Sequence, residues 1–264
     1  MMALFCFDSI TSVPADLRGE AILAASHGGV YVANVALQLG LGGLIVSDAG
    51  VGRERAGIVG LDILNEHNVP AAAVSVGSAR IGDGVDCLNR GVISFANEAA
   101  AGLGVQTGMR SSAALVLMRA QARPSPGDVP PLQESRRTMA SVVLADSNSL
   151  VQPEDRGSVL VTGSHGGLLG GKPASAVKWP VRAAIYNDAD GGIDGAGFSR
   201  LPALDARGIP AATVSVWSAR IGDAQSTFDD GWVTRLNDHA RNAGGEIGLS
   251  CRELVARLVA GASA

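Results

Sequence analysis

The chain has 264 residues, of which 47% are apolar, and its 21 Lys and Arg residues against 25 Asp and Glu residues give a formal net charge of −4. This length and apolar fraction suffice for one large domain or two small ones, and they exclude global disorder. An acidic balance without basic clusters argues against nucleic acid or an anionic membrane surface as the main partner. The apolar runs are far shorter than the roughly 18 residues of a membrane span.

The N-terminal segment and the cysteines indicate the cellular compartment of the protein. Met1 to Phe7 is apolar but has no basic segment before it and no cleavage-like site after it, so we expect a buried strand rather than a signal peptide. Cys6, Cys87 and Cys251 have neither a disulfide framework nor a metal-binding spacing. We therefore expect a reducing cytoplasm, with no membrane and no nucleic acid as partner, while homo-oligomerisation stays open.

Apolar runs and amphipathic stretches alternate along the chain. The runs predict strands at 3–7, 21–25, 43–47 and 71–76, and again at 141–145, 158–162, 183–186 and 211–216. The stretches predict helices at 30–39, 56–66, 85–103, 111–119 and 252–259. Strands separated by helices of this length indicate βαβ crossovers and a mostly parallel sheet. The sequence thus predicts an α/β fold of two tandem Rossmann-like or flavodoxin-like lobes.

The chain also repeats itself. A shift of 138 aligns Ser26-His27-Gly28-Gly29 with Ser164-His165-Gly166-Gly167, and after a two-residue insertion a shift of 140 aligns Pro70 to Asp83 with Pro210 to Asp223. In that last block 12 of 14 positions are identical, with only Ala73/Thr213 and Gly77/Trp217 differing. The repeat predicts an internal duplication, with lobes at 1–120 and 139–264 related by a pseudo-twofold axis and joined by a Pro-rich linker at 121–138.

Polar motifs follow the predicted strands in both copies. They are Asp8, Ser9, Asp146 and Ser147 after the first strand, Ser26, His27, Ser164 and His165 after the second, Asp48 and Asp188 after the third, and Ser78, Arg80, Ser218 and Arg220 after the fourth. Ligands of parallel sheets bind beyond the carboxyl ends of the strands. If the carboxyl edges of the two lobes face each other, the motifs converge on one interlobe cleft that binds a small-molecule substrate.

Each motif also has a structural interpretation. The structural roles are helix N-caps for Asp83 and Asp223, Asx turns for Asp48 and Asp188, interlobe salt bridges for Arg80 and Arg220, and close packing for Gly28, Gly29, Gly166 and Gly167. The same glycines could instead expose backbone N–H groups to an anion at a helix N-terminus. These alternatives remain open from the sequence.

The imidazoles give the sharpest functional signal. Two of the four histidines, His27 and His165, occupy equivalent positions, and the ordinary pKa of imidazole suits acid/base chemistry. Adjacent side chains at a strand end point to opposite faces, so neither histidine simply pairs with its neighbouring serine. The predicted catalytic set is His27 and His165 as acid/base groups, Asp48 and Asp188 as orienting carboxylates, and Ser26 and Ser164.

The remaining motif residues are assigned to substrate binding. A guanidinium offers a planar fork to a carboxylate, and a lysine after a Gly pair can stabilise an oxyanion. The predicted binding set is Arg80, Arg220, Asp8, Ser9, Asp146, Ser147, Ser78, Ser218, Lys172, Gly28, Gly29, Gly166 and Gly167.

These residues favour an enzyme that hydrolyses an amide-like C–N bond of a small anionic or carbonyl-bearing metabolite, with water or a loop serine as nucleophile. Proton-transfer, isomerase or lyase chemistry, a non-catalytic metabolite-binding protein and a purely structural subunit are the alternatives. No cofactor is expected. A divalent metal held by His27, His165, Asp48 and Asp188 is less favoured, because no His or Cys spacing demands it. Gly166 to Lys172 has the spacing of a phosphate loop, but Pro173 replaces the magnesium-binding hydroxyl.

Overall fold

The computed structural model describes residues 4–125, 127 and 129–260. The predicted positions at 1–3, at Pro126 and Asp128 of the linker, and at 261–264 lie outside the described residues. The strands are β1 Cys6–Phe7, β2 Ala21–His27, β3 Gly43–Ser47, β4 Ala71–Val74, β5 Ile93–Ala96, β6 Arg136–Met139, β7 Val142–Ala145, β8 Val159–His165, β9 Ala183–Asn187, β10 Ala211–Val214 and β11 Val233–Leu236. The α-helices are α1 Val30–Gln38, α2 Val59–Glu66, α3 Gly84–Arg90, α4 Glu98–Gly102, α5 Ser111–Ala120, α6 Arg200–Asp205, α7 Ala224–Asp230, α8 Asp238–Asn242 and α9 Cys251–Ala260.

Two largely parallel sheets with helices confirm the predicted α/β fold. One sheet has the order β1-β2-β3-β4-β5 and the other β11-β10-β9-β8-β7-β6. The pairs β4/β5, β10/β11 and β6/β7 are antiparallel, and the other neighbouring strands are parallel. Strand order follows chain order throughout, unlike the 3-2-1-4-5-6 order of dinucleotide-binding folds or the 2-1-3-4-5 order of flavodoxin.

The chain divides into two compact units. Unit 1 comprises Met1–Val51, Arg55–Gln133 and Gly192–Asp194, and unit 2 comprises Gly52–Glu54, Glu134–Gly191 and Gly195–Ala264. The boundary at Gln133 and Glu134 falls inside the predicted linker, whose last residues form the edge strand β6.

The central strand β2 of unit 1 is buried on both faces. Ile22 and Ala24 point into a core that includes α1 and α2, while Leu23 and Ala25 point into a second core that includes α3 and α5. A strand covered on both sides needs apolar residues at every position rather than at alternate ones. This burial explains the continuous apolar run from which the strand was predicted.

In unit 2, the described segment between β8 and β9 has no helix that corresponds to α1. Between β8 and β9 the chain forms only two single-turn 3₁₀ helices, Leu169–Gly171 and Pro173–Ser175. In unit 1, α1 approaches α2 so closely that a Cβ on Gly60 would lie 2.6 Å from the Gly29 carbonyl oxygen. The position aligned with Gly60 is Arg200, which is 2% exposed. A large side chain thus occupies space that a helix fills in unit 1.

Arg200 is buried, and its guanidinium group binds backbone carbonyls and an aromatic ring. Its Nη1 donates to the carbonyl oxygens of Ser175 and Ala176, and its guanidinium carbon lies 5.2 Å from the centre of the Tyr186 ring. The Tyr186 hydroxyl also donates to Ala176, at 2.9 Å. These bonds fix the second 3₁₀ turn against α6.

The predicted helix at 85–103 is wrong. The segment contains α3, the antiparallel strand β5 and the short helix α4. A Cβ on Gly91 would lie 2.2 Å from the Cys87 carbonyl oxygen, so the chain turns there at a residue without a side chain. The corresponding segment of unit 2 likewise forms α7, β11 and α8. In the described part of the chain, no helix combines the length and apolar character required to cross a bilayer.

Candidate functional site

Both candidate histidines end a central strand. His27 is the last residue of β2 and is paired with Ser47 of β3, while His165 is the last residue of β8 and is paired with Asn187 of β9. Each therefore lies at the carboxyl edge of its own sheet, as the sequence predicted. The same edge carries the loops that follow β3 and β9, which contain Asp48 and Asp188.

The two imidazoles have different surroundings. Burial lowers the pKa of His27 to about 4, so this side chain is neutral at pH 7. Its ring lies against the N-terminus of α1, where a Cβ on Gly29 would be 2.9 Å from His27 Nε2. His165 is buried, and its Nδ1 accepts a hydrogen bond from the Gly167 N–H at 3.1 Å. The accepting Nδ1 carries no proton, so a neutral His165 holds its proton on Nε2.

Asp48 holds the loop that follows β3. Its Oδ1 accepts from the N–H groups of Gly50 at 3.0 Å and Val76 at 2.9 Å, and its Oδ2 accepts from the Ser94 hydroxyl at 2.8 Å. The loop needs this support because Val51, a β-branched residue, has φ 64°. The predicted Asx turn is present, and the hydrogen bonds of the carboxylate hold the loop in place.

Asp188 has the same arrangement in unit 2. Its Oδ1 accepts from the N–H groups of Asp190 at 3.0 Å and Val216 at 2.9 Å, and a further hydrogen bond comes from Thr234. Burial raises the pKa of Asp188, and these hydrogen bonds oppose the increase. Asp188 and Asp48 thus stabilise equivalent loops.

The serines and aspartates near the first two strands also bind backbone groups. The Ser26 hydroxyl accepts from the Ile10 N–H at 3.0 Å, and the Ser164 hydroxyl accepts from the Asn148 N–H at 2.8 Å. The carboxylates of Asp8 and Asp146 accept from the N–H groups that open α3 and α7. All four side chains fix the connections around the carboxyl edge.

The remaining hydroxyls cap turns. Ser9 and Ser147 are N-caps of 3₁₀ helices, and Ser78 and Ser218 donate to the carbonyls three residues earlier, at 2.8 and 2.9 Å. Asp83 and Asp223, considered as helix caps in the sequence, do accept from the N–H groups of Asp86 and Ser226. These six side chains therefore have structural roles in the turns and helix N-termini.

Arg80 and Arg220 form ion pairs. Arg80 Nη2 lies 2.8 Å from Asp194 Oδ2, and Arg220 Nη2 lies 2.9 Å from Asp223 Oδ2. Arg220 Nη1 is also 3.2 Å from Glu54 Oε2. The two arginine side chains are 46% and 37% exposed, so solvent screens both pairs and each contributes little to stability.

The Gly-Gly motifs serve close packing. The Gly28 N–H donates to Gly57 at 2.7 Å, and the Gly166 N–H donates to Asn187 at 2.8 Å. A Cβ on Gly166 would lie 2.5 Å from the Gly197 carbonyl oxygen. Because the Gly167 N–H binds His165, three of the four predicted anion donors already have partners within the chain. The exposed residue Lys172 follows the 3₁₀ turn Leu169–Gly171.

Sequence reasoning missed two features of unit 2. Glu134, inside the predicted linker, hydrogen-bonds Ser147 beside Asp146, and burial together with the charge of Asp146 raises the Glu134 pKa to about 7. Trp217 is 59% exposed at the carboxyl end of β10, and its Nε1 donates to Asp190 Oδ1 at 3.1 Å. The Gly77/Trp217 mismatch in the repeated block was a usable signal for the second feature, whereas no motif marks Glu134.

The residues that the structure describes contain no group of three or more His, Cys, Asp or Glu side chains arranged to hold a metal ion. No protein-family model, curated protein or solved structure matches the chain.

Proposed function

We propose that the protein is an enzyme that hydrolyses an amide-like C–N bond in a small anionic or carbonyl-bearing metabolite, with the imidazoles of His27 and His165 transferring protons. One observation carries the proposal: each sheet ends its second parallel strand in a histidine at the carboxyl edge. We further propose that the two units descend from one duplicated segment and that the protein works in the cytoplasm.

The imidazoles can act without an orienting carboxylate. A neutral His27 has a ring nitrogen able to accept a proton from water. In His165 the Gly167 N–H occupies Nδ1 and orients the ring, so proton transfer by this imidazole runs through Nε2. Water is the nucleophile in this proposal, because Ser26 and Ser164 are engaged by backbone N–H groups. Asp48 and Asp188 contribute by holding the adjacent loops.

Charged groups near the edge are assigned to the substrate. The exposed fractions of Arg80 and Arg220 leave their guanidinium groups accessible to an anionic substrate, and Lys172 adds a further cation in unit 2. Glu134 has a pKa raised to about 7, which suits proton transfer at neutral pH, so it is an additional acid/base candidate in unit 2.

A non-catalytic metabolite-binding protein is the second candidate. It is favoured by the hydrogen bonds that occupy both predicted orienting carboxylates, since Asp48 and Asp188 bind backbone N–H groups. A binding site needs no group with spare proton-transfer capacity. The two candidates differ in whether a bound ligand is turned over.

The test is a thermal-shift screen of linear and cyclic amides that carry carboxylates, followed by a turnover assay on each stabilising compound. We expect His27→Gln or His165→Gln to lower kcat by at least about 100-fold with the far-UV circular dichroism unchanged. His67→Gln, at the end of α2, is the matched control and should retain full activity. Activity within twofold of the parent in both test variants would refute the proposal. A stabilising ligand that is never hydrolysed would favour the binding protein.

A further inference from the structure

Unit 2 contains an open groove between α6 and the second 3₁₀ turn, Pro173–Ser175. Its volume is about 670 Å³, which is within the usual range for sites of drug-sized ligands. The floor and walls are apolar, with Val177 buried and Pro173, Ala174, Pro202 and Ala206 exposed. Exposed apolar side chains that gather along one groove indicate a binding surface.

The groove is specific to unit 2. The positions aligned with Pro202 and Ala206 are Asp62 and Glu66, which are exposed carboxylates on α2. The groove face of α6 therefore carries apolar residues where α2 carries two outward-facing charges.

The charges around the groove are positive. Lys178 and Arg207 line it, and none of the described residues that line it is acidic. The chain has only two lysines, Lys172 and Lys178, and they flank the 3₁₀ turn that forms one wall. In a protein of net charge −4, this concentration of cations favours an anionic ligand.

The polar groups of the wall limit what a ligand can bind. The Ser199 hydroxyl donates to Ala196 and accepts from the Leu168 N–H, both at 2.9 Å, so it is already used within the chain. Arg207 donates one N–H to the Val177 carbonyl at 3.0 Å, which anchors the guanidinium at the edge of the groove. Charge recognition therefore comes from Lys178 and Arg207, and the remaining contact is apolar.

We infer that this groove is a binding site for a carboxylate with an apolar body, such as a medium-chain fatty acid. The alkyl chain packs along α6 over Pro202, Ala203 and Ala206, and the carboxylate lies between Lys178 and Arg207. Neither His27 nor His165 lines the groove, so the inference does not rest on the proposed function.

The test is isothermal titration calorimetry of the full chain with decanoate below its micelle concentration. We expect saturable binding of one decanoate, weakened about two- to fourfold for each methylene removed from the ligand. Decanol, which has the same chain length but no charge, should bind at least fivefold more weakly. The double variant K178E/R207E should weaken decanoate binding at least 20-fold.

Two controls separate charge and shape from unfolding. The variant R241E/R257E makes the same change in net charge on α8 and α9 and should bind decanoate within twofold of the parent chain. Ala203→Trp fills the groove and should abolish binding, with circular dichroism checking the fold. Equal affinity for decanol and decanoate, unchanged binding by K178E/R207E, or no binding of decanoate would overturn the inference. Dimerisation of the parent chain that A203W removes, without decanoate binding, would also overturn it and assign the groove to a second copy.

Discussion

Replacing Asp48 tests whether this carboxylate is a scaffold or a catalytic group. In Asp48→Ala the buried Val76 N–H loses its acceptor, which costs about 1 to 3 kcal/mol, and the partly buried Gly50 N–H loses its acceptor at a cost of about 1 kcal/mol. The Ser94 hydroxyl can still donate to the Ala73 carbonyl at 3.2 Å, so losing its hydrogen bond to Asp48 costs little. We expect a total destabilisation of about 3 kcal/mol.

Asp48→Asn separates hydrogen bonding from charge. The amide oxygen can accept from the same two N–H groups, so we expect a loss of only about 1 kcal/mol from the weaker neutral bonds. Asp62→Ala, on the exposed side of α2, is the control and should change stability by less than about 0.5 kcal/mol.

Urea unfolding followed by far-UV circular dichroism measures these differences. A loss of about 3 kcal/mol moves the midpoint by roughly 1 to 2 M for a typical slope. If D48A unfolds at the same urea concentration as the parent, the scaffold role is wrong. If D48N keeps its stability but loses turnover, Asp48 acts in the chemistry instead.

Three further predictions concern packing and pH. Gly60→Ala should destabilise the chain by about 1 to 3 kcal/mol in urea unfolding, because its Cβ would press on the Gly29 carbonyl oxygen. Gly102→Ala, with no atom within 4 Å of the new Cβ, should stabilise the chain by about 0.5 to 1 kcal/mol. Equal effects of the two substitutions would refute the packing argument. Between pH 4.5 and 7, Glu134 binds more protons in the folded chain than in the unfolded chain, so stability should fall as the pH rises through this range. Glu134→Gln should remove about 2 kcal/mol of that fall, after allowance for solvent screening. Unfolding curves at pH 5 and 7.5 measure the difference. For His27 the sign is opposite: the unfolded chain binds more protons between about pH 4 and 6.5, so stability should fall as the pH drops. An NMR titration should find the His27 imidazole protonating near pH 4, and a midpoint above 6 would contradict its burial.

The parallel strands of unit 1 could be predicted because burial on both faces imposes continuous apolar runs. The predicted runs at 21–25, 43–47 and 71–76 correspond to β2, β3 and β4. The stretch 85–103 misled the prediction because the strand β5 is short and lies between two short helices, so its apolar residues merge with theirs. The fold there depends on contacts of Gly91 that no periodicity records.

The carboxyl-edge positions of His27 and His165 followed from the repeat and from the parallel strands. The partners of Asp48 and Asp188 did not, because an aspartate after a strand can serve a loop or an imidazole with the same sequence pattern. Glu134 was missed for a different reason. Its unusual environment arises from Asp146 and Ser147, which lie more than ten residues away along the chain.

The sequential strand order bears on how each sheet can assemble during translation. From β1 to β5 and from β6 to β11, every strand pairs with the one synthesised just before it. No strand must be inserted between two others that are already paired. Each strand can pair with the edge of the growing sheet as soon as the ribosome has released it. Pairing between strands that are close along the chain favours rapid folding. We therefore expect the first sheet to acquire protease resistance on nascent chains before the second has been synthesised.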